Sequence, residues 1–132
     1  MGSTIKLATI GALAFMVLDG IWLGVLMKNF YRDQLAPIVR LADGGIAPNW
    51  PAALVVYVLL GTGIALFVIP RASTVWSAAV YGALFGLVVY GVYDFTNYST
   101  LRQWPFVLTL ADVAWGAFAS STVAVAVRMA DR

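Results

Sequence analysis

Cysteine, histidine and glutamate are all missing from this 132-residue sequence. Without cysteine there is no disulfide, no thiol redox chemistry, no Fe–S cluster and no thiolate-bound zinc. Without histidine the chain lacks the commonest metal ligand, the usual haem ligand and the usual general base near neutral pH. Charge is scarce too, at 11% of residues, against about 25% in an ordinary soluble domain. The eight basic residues form no run suited to a phosphate backbone, so no nucleic-acid partner is expected. Lysine occurs only at Lys6 and Lys28, both flanking a helix, which argues against retinal-type Schiff-base chemistry. What is abundant is apolar: 62% of the chain is hydrophobic. A soluble fold of this length leaves too much of its chain exposed to hide that surface, so part of the solvent is lipid.

A bilayer core about 30 Å thick takes roughly 20 apolar helical residues. Four windows qualify, at about 5–27, 51–69, 72–96 and 103–128. Pro51 suits a first helical turn, and that helix is expected to end before Pro70. The expected fold is all-α, a polytopic four-helix transmembrane bundle forming a single domain over residues 1–132. The first window is longer than the 7–15 apolar residues of a signal peptide, so it is read as a retained helix. Between the first two spans Phe30, Tyr31, Leu35, Ile38, Val39 and Leu41 recur at helical spacing among charges, predicting a short amphipathic segment at the interface. Asp43-Gly44-Gly45 breaks it. Pro70-Arg71 makes a tight turn, and the polar stretch Asn97–Arg102 joins the last two spans. Basic residues split four against four across the two sides, so the positive-inside rule gives no orientation.

Two pieces of sequence recur. Asp19-Gly20-Ile21-Trp22 and Asp112-Val113-Ala114-Trp115 share Asp-x-x-Trp, whose side chains fall on one helix face. Asn49-Trp50-Pro51 and Gln103-Trp104-Pro105 each open a span. The echo hints at a duplicated helical hairpin, a symmetry common in transporters; independent use of interfacial Trp and helix-starting Pro explains the second pair equally well. Small residues mark packing faces: Gly20 and Gly24 in the first span, and Ala78, Gly82 and Gly86 leading to Tyr90 and Asp94 in the third.

The aspartates carry the chemistry. An intramembrane Asp costs about 2.5–3.5 kcal/mol on insertion scales and therefore faces a partner or a cavity. Asp19, Asp94 and Asp112 all fall in the half of the membrane that faces the long connection. They are the candidate catalytic residues. Tyr57, Tyr90, Tyr93, Asn97 and Trp104 gather at the same level, and Trp22 and Trp115 add flat faces able to line a cavity or hold a cation. Arg102 is expected to fold in as counter-ion to Asp94 or Asp112; these eight are the candidate ligand-binding residues. Three carboxylates with no Lys or His among them are costly to charge together, so a shared proton or a cationic ligand is expected. No spacing signature supports a metal site, and no cofactor is expected. The plainer alternative makes the three Asp side chains interhelical glue, bonded to Tyr, Asn and Trp donors.

Several stretches resemble a known family: Leu18-Asp19-Gly20-Ile21-Trp22-Leu23-Gly24, Phe30-Tyr31-Arg32, Asn49-Trp50, Tyr93-Asp94-Phe95-Thr96-Asn97, Thr100-Leu101-Arg102-Gln103-Trp104-Pro105 and Asp112-Val113-Ala114-Trp115-Gly116. The sequence resembles small bacterial inner-membrane proteins grouped as a domain of unknown function. The resemblance covers most of the chain, least well Leu41–Pro48, and implies four spans in the bacterial inner membrane but no reaction. Three functions compete. The first is a one-sided polar pocket, with membrane lipid around it, that binds or modifies a lipid-soluble molecule. The second is a proton- or cation-coupled transporter of lipophilic or cationic small molecules, working as a homodimer. The third is a structural or accessory subunit. Whether the chain is an enzyme is left open.

Overall fold

The structure, a computed structural model, describes residues 2–131. Four long helices dominate. Helix α1 spans Gly2–Ile21, α2 Lys28–Leu35, α3 Trp50–Gly63, α4 Val75–Thr100 and α5 Phe106–Ala130. Helix α1 continues as a π-turn over Trp22–Leu26, in which the Met27 N–H donates to the Trp22 carbonyl at 2.7 Å. Helix α3 continues through a second π-turn, Ile64–Val68, into a 3₁₀ turn, Ile69–Arg71. With these extensions the four apolar helices able to cross a membrane run Ser3–Leu26, Trp50–Arg71, Val75–Thr100 and Phe106–Ala130. The architecture is the expected all-α four-helix membrane bundle.

Local chemistry explains the helix starts. The Asn49 side chain accepts from the Ala52 N–H at 3.2 Å, with Pro51 in the first turn of α3. Thr74 and Ser77 form a reciprocal capping box at the start of α4, with bonds of 2.9 and 3.0 Å. Two expectations shift at helix ends. Pro70 lies inside the 3₁₀ turn, so the reversal falls on Ala72–Thr74. The segment Asn97–Thr100, read above as a connection, forms the last turn of α4, because its side chains bond back into the helix: Ser99 and Thr100 hydroxyls both donate to the Thr96 carbonyl.

Large apolar residues such as Val17, Leu59 and Val88 point outward, more than half exposed, while the core combines Phe15, Ile64, Val68 and Leu108 with small residues where helices touch. Lipid tails give helices no hydrophobic reason to associate, so close backbone approach supplies the attraction. Helices α4 and α5 pack most intimately, along the ridge Ala78, Gly82, Gly86 against Gly116, Ser120 and Ala124. Helices α1 and α3 form the second pair, with Gly61 seated against the Ala8 carbonyl and Ala12. The pair Gly20 and Gly24 behaves differently from the expected packing face. A side chain at either would meet nothing within 4 Å, because the wall of a cleft lies there instead of a helix.

The long connection builds a cap on one end of the bundle. Amphipathic α2 buries Tyr31 and Leu35 beside Trp104 and Leu108 at the start of α5. A β-hairpin follows, β1 Leu41–Ala42 and β2 Gly45–Ile46, with Leu41 opposite Ile46. Asp43 (φ 52°) and Gly44 (φ 78°) form its two-residue turn, the left-handed geometry that Asp-Gly favours. The Arg32 guanidinium donates to the Gly44 carbonyl at 3.0 Å and so ties the hairpin tip to α2.

A carboxyl and indole network beside a capped cleft

The two Asp-x-x-Trp motifs meet face to face. The Trp22 and Trp115 rings stack with centroids 4.4 Å apart and planes 2° from parallel. Each Asp belongs to the other motif's Trp. Trp115 Nε1–H donates to Asp19 Oδ1 at 2.8 Å. Trp22 Nε1–H donates to the Tyr31 hydroxyl at 3.0 Å, and that hydroxyl donates to Asp112 Oδ1 at 2.8 Å. The arrangement is reciprocal, with one difference: a tyrosine from α2 is inserted into one of the two links. Because each Asp and its Trp stand at i, i+3 on one face, two crossing helices present both groups to each other at once.

Asp94 joins the network from α4. It stands six residues before the end of α4, and Asp112 stands six residues after the start of α5. At about 1.5 Å of rise per residue both lie roughly 9 Å from the same end of the antiparallel pair. That shared level puts the two carboxyls side by side. Asp94 is fully buried, and neither of its oxygens has a donor. Two carboxyls bond each other only when one carries a proton, so a charged Asp94 would be an orphan acceptor here.

The remaining candidates divide. The Tyr57 hydroxyl reaches Asp19 from α3. Tyr90 stands near both Asp19 and Asp112, its ring pressed on Gly116. Tyr93 is half exposed and meets Trp104 edge-on at 5.9 Å, with Asn97 beside its hydroxyl. Trp104 is buried and donates to the Thr109 hydroxyl at 3.0 Å, closing the loop into α5. Arg102 is corrected by the structure. It is exposed and pairs with neither Asp94 nor Asp112; the ion pair found among the described residues is Arg32–Asp33 at 3.0 Å. The reason is the length of α4, which carries Arg102 past the helix end, about 12 Å along the axis from Asp94.

Tyr31 is the residue that sequence reading passed over. It is 5% exposed and bonds both halves of the network. Its phenol titrates above the ordinary 10.0, first because it is buried and second because Asp112 is charged beside it. The folded state therefore binds the phenolic proton more tightly than the unfolded chain. Stability from this group is full below the ordinary tyrosine range and is lost as pH rises through and above it. Replacing Tyr31 with Phe is expected to destabilise by about 1–3 kcal/mol, because the Trp22 N–H and Asp112 both lose their partner. The loss should be read as a lower melting temperature in detergent, and the alkaline fall in stability should be shallower than in the parent. An unchanged melting temperature would show that the links contribute nothing.

A cleft of about 710 Å³ lies on the other side of α1. Its walls are α1 (Met16, Asp19, Leu23) and α3 (Trp50, Val56, Tyr57). The hairpin (Ala42, Asp43, Ile46) and Lys28 stand at its mouth. Of the three carboxyls named above, Asp19 alone lines it; Asp94 and Asp112 do not. No group of three or more acidic side chains able to hold a metal occurs among the described residues.

Comparison with known proteins places the chain by one similarity. A family model described as "Predicted membrane protein (DUF2177)" matches residues 4–129. No curated protein and no solved structure matches the chain.

Proposed function

Since the chain belongs to the DUF2177 family of membrane proteins, whose function is unknown, we propose from its own residues that it holds a lipid-soluble molecule in the cleft between α1 and α3. Asp19 and Tyr57 would bind the polar end of that molecule. The observation that supports this reading most is the position of Asp19, a carboxyl 8% exposed on the wall of an otherwise mainly apolar cleft. An apolar cavity with a few convergent polar groups is the usual form of a small-molecule site. Trp115 holds one Asp19 oxygen at 2.8 Å and so fixes the carboxyl's direction. The ligand that fits has an apolar body and a hydrogen-bond-donating or cationic head. Lys28 and Asp43, at the mouth, are placed to meet whatever part of it emerges. Helical spans fit the bacterial inner membrane, since the outer membrane is crossed by β-barrels.

Gly24 provides the test. A side chain there meets nothing within 4 Å, so Gly24→Phe is expected to fill the cleft without disturbing the fold. Protein purified in mild detergent should carry a lipophilic species, seen by mass spectrometry, at a level well above bulk lipid. Gly24→Phe and Asp19→Asn should each reduce it about tenfold or more, equivalent to about 1.4 kcal/mol of binding. Equal retention in all three proteins would overturn the reading. Proton release on adding an amphipathic cation would instead identify cation-coupled transport.

A further inference from the structure

We propose that the Asp94–Asp112 pair is a binding site for a single proton, held between the two carboxyls and fixed from outside by Tyr31. Asp94 has no exposed surface and no hydrogen-bond donor. Its neighbour across the α4–α5 contact is Asp112, another carboxyl. From α2, Tyr31 gives its only hydroxyl proton to Asp112. From α4 itself, Tyr93 and Tyr90 stand near the pair, and from α1 Asp19 acts on Asp112 at longer range. No ion pair with Lys or Arg reaches either carboxyl among the described residues. The surroundings therefore supply acceptors and phenols but no positive charge.

One proton resolves the arrangement. Taken up from solvent through Asp112, which keeps partial exposure, it converts one carboxylate to an acid. With that proton on Asp94, its O–H donates to the Asp112 carboxylate, which then accepts from Asp94 and from Tyr31 together. Within the pair, the two oxygens that lack a donor are both Asp94's, and this assignment makes Asp94 a donor and leaves a single negative charge on the pair. Two charges at contact would repel, and two protons would leave the Tyr31 link without a charged acceptor. The site does not depend on anything occupying the cleft, which Asp94 and Asp112 do not line.

Infrared spectroscopy tests it directly. The chain has no glutamate, so every protonated side-chain carboxyl signal comes from aspartate. In lipid nanodiscs at neutral pH, with potassium as the cation, a protonated-carboxyl band slow to exchange with deuterium is expected. Asp94→Asn, whose amide donates to Asp112 in the same place, should lose it completely; Asp19→Asn should keep it; Tyr31→Phe should shift it. Absence of the band from the parent protein overturns the proposal even where a variant fails to fold. So does a band that survives Asp94→Asn, one lost in Asp19→Asn, or one abolished by replacing potassium with sodium, which would make the site one for a metal cation.

Discussion

Gly86→Leu is expected to prevent assembly of the bundle, and Gly86→Ala to destabilise it by about 3 kcal/mol, the upper end of what an overpacked core costs. A Cβ at Gly86 would lie on the Gly116 carbonyl, with the Ser120 hydroxyl at 2.6 Å. The first obstacle is backbone, which no rotamer change can move. Helices α4 and α5 would have to separate, and every other contact along the ridge would loosen with them. In water such a pair would still be pressed together by its apolar surface; in lipid, contact itself is the attraction, so a widened interface loses most of it. Gly24→Ala is the matched control. Its new methyl group meets nothing within 4 Å, and alanine favours helix over glycine by about 1 kcal/mol, so its stability should stay level or rise slightly. Thermal unfolding of the three variants and the parent in one detergent, followed by circular dichroism and gel filtration, gives the comparison. A melting temperature for Gly86→Leu equal to the parent's would show that α4–α5 contact does not hold the fold.

That ridge was readable in advance because spacing by four residues is enough to define a helix face. Ala78, Gly82, Gly86 and Asp94 lie on it, and all four are buried. Gly20 and Gly24 have the same spacing and the opposite fate, since small residues admit a close neighbour without requiring one. The Asp-x-x-Trp echo pointed to two related faces; that those faces exchange partners, Trp115 to Asp19 and Trp22 by way of Tyr31 to Asp112, depends on the crossing of α1 and α5, which no local pattern carries. Tyr31 was hidden by its setting. On an amphipathic segment a tyrosine serves as well for the membrane interface as for an interior bond, and what separates the two is the position of Asp112, 81 residues further on. The hairpin has a local signal, Asp43-Gly44 in its turn, but the same residues also serve to break a helix, so the signal alone does not separate the two. Arg102 lies beyond reach of Asp94 because of the length of α4. Counting apolar residues ends that helix early, whereas Ser99 and Thr100 bond their own backbone and extend it.

Whether Asp19 is structural glue or a ligand group is decided by a double-mutant cycle with Trp115. Trp115→Phe keeps a ring to stack on Trp22 but removes the N–H that reaches Asp19 at 2.8 Å. A buried carboxyl then loses a charge-assisted bond, and the expected cost is about 2–3 kcal/mol. Asp19→Leu strands a neutral indole N–H and releases the Tyr57 hydroxyl, which lines the cleft, for about 1 kcal/mol. With both changes the Tyr57 hydroxyl, on the cleft wall, is the one group without its Asp19 partner, and the pair of apolar side chains should be nearly as stable as the parent. The double variant should therefore lie about 2 kcal/mol or more above the sum of the two single losses, read from melting curves or denaturant midpoints in the same detergent. Strict additivity would mean that the indole bond contributes nothing. The restored double variant then separates the two roles, because its fold is intact while the cleft wall carries leucine in place of a carboxylate. If Asp19 binds the ligand's polar end, this stable protein should have lost the co-purifying lipophilic species as completely as Asp19→Asn has. If it retains that species at the parent's level, Asp19 serves packing alone, and recognition in the cleft must rest on Tyr57 and the groups at its mouth.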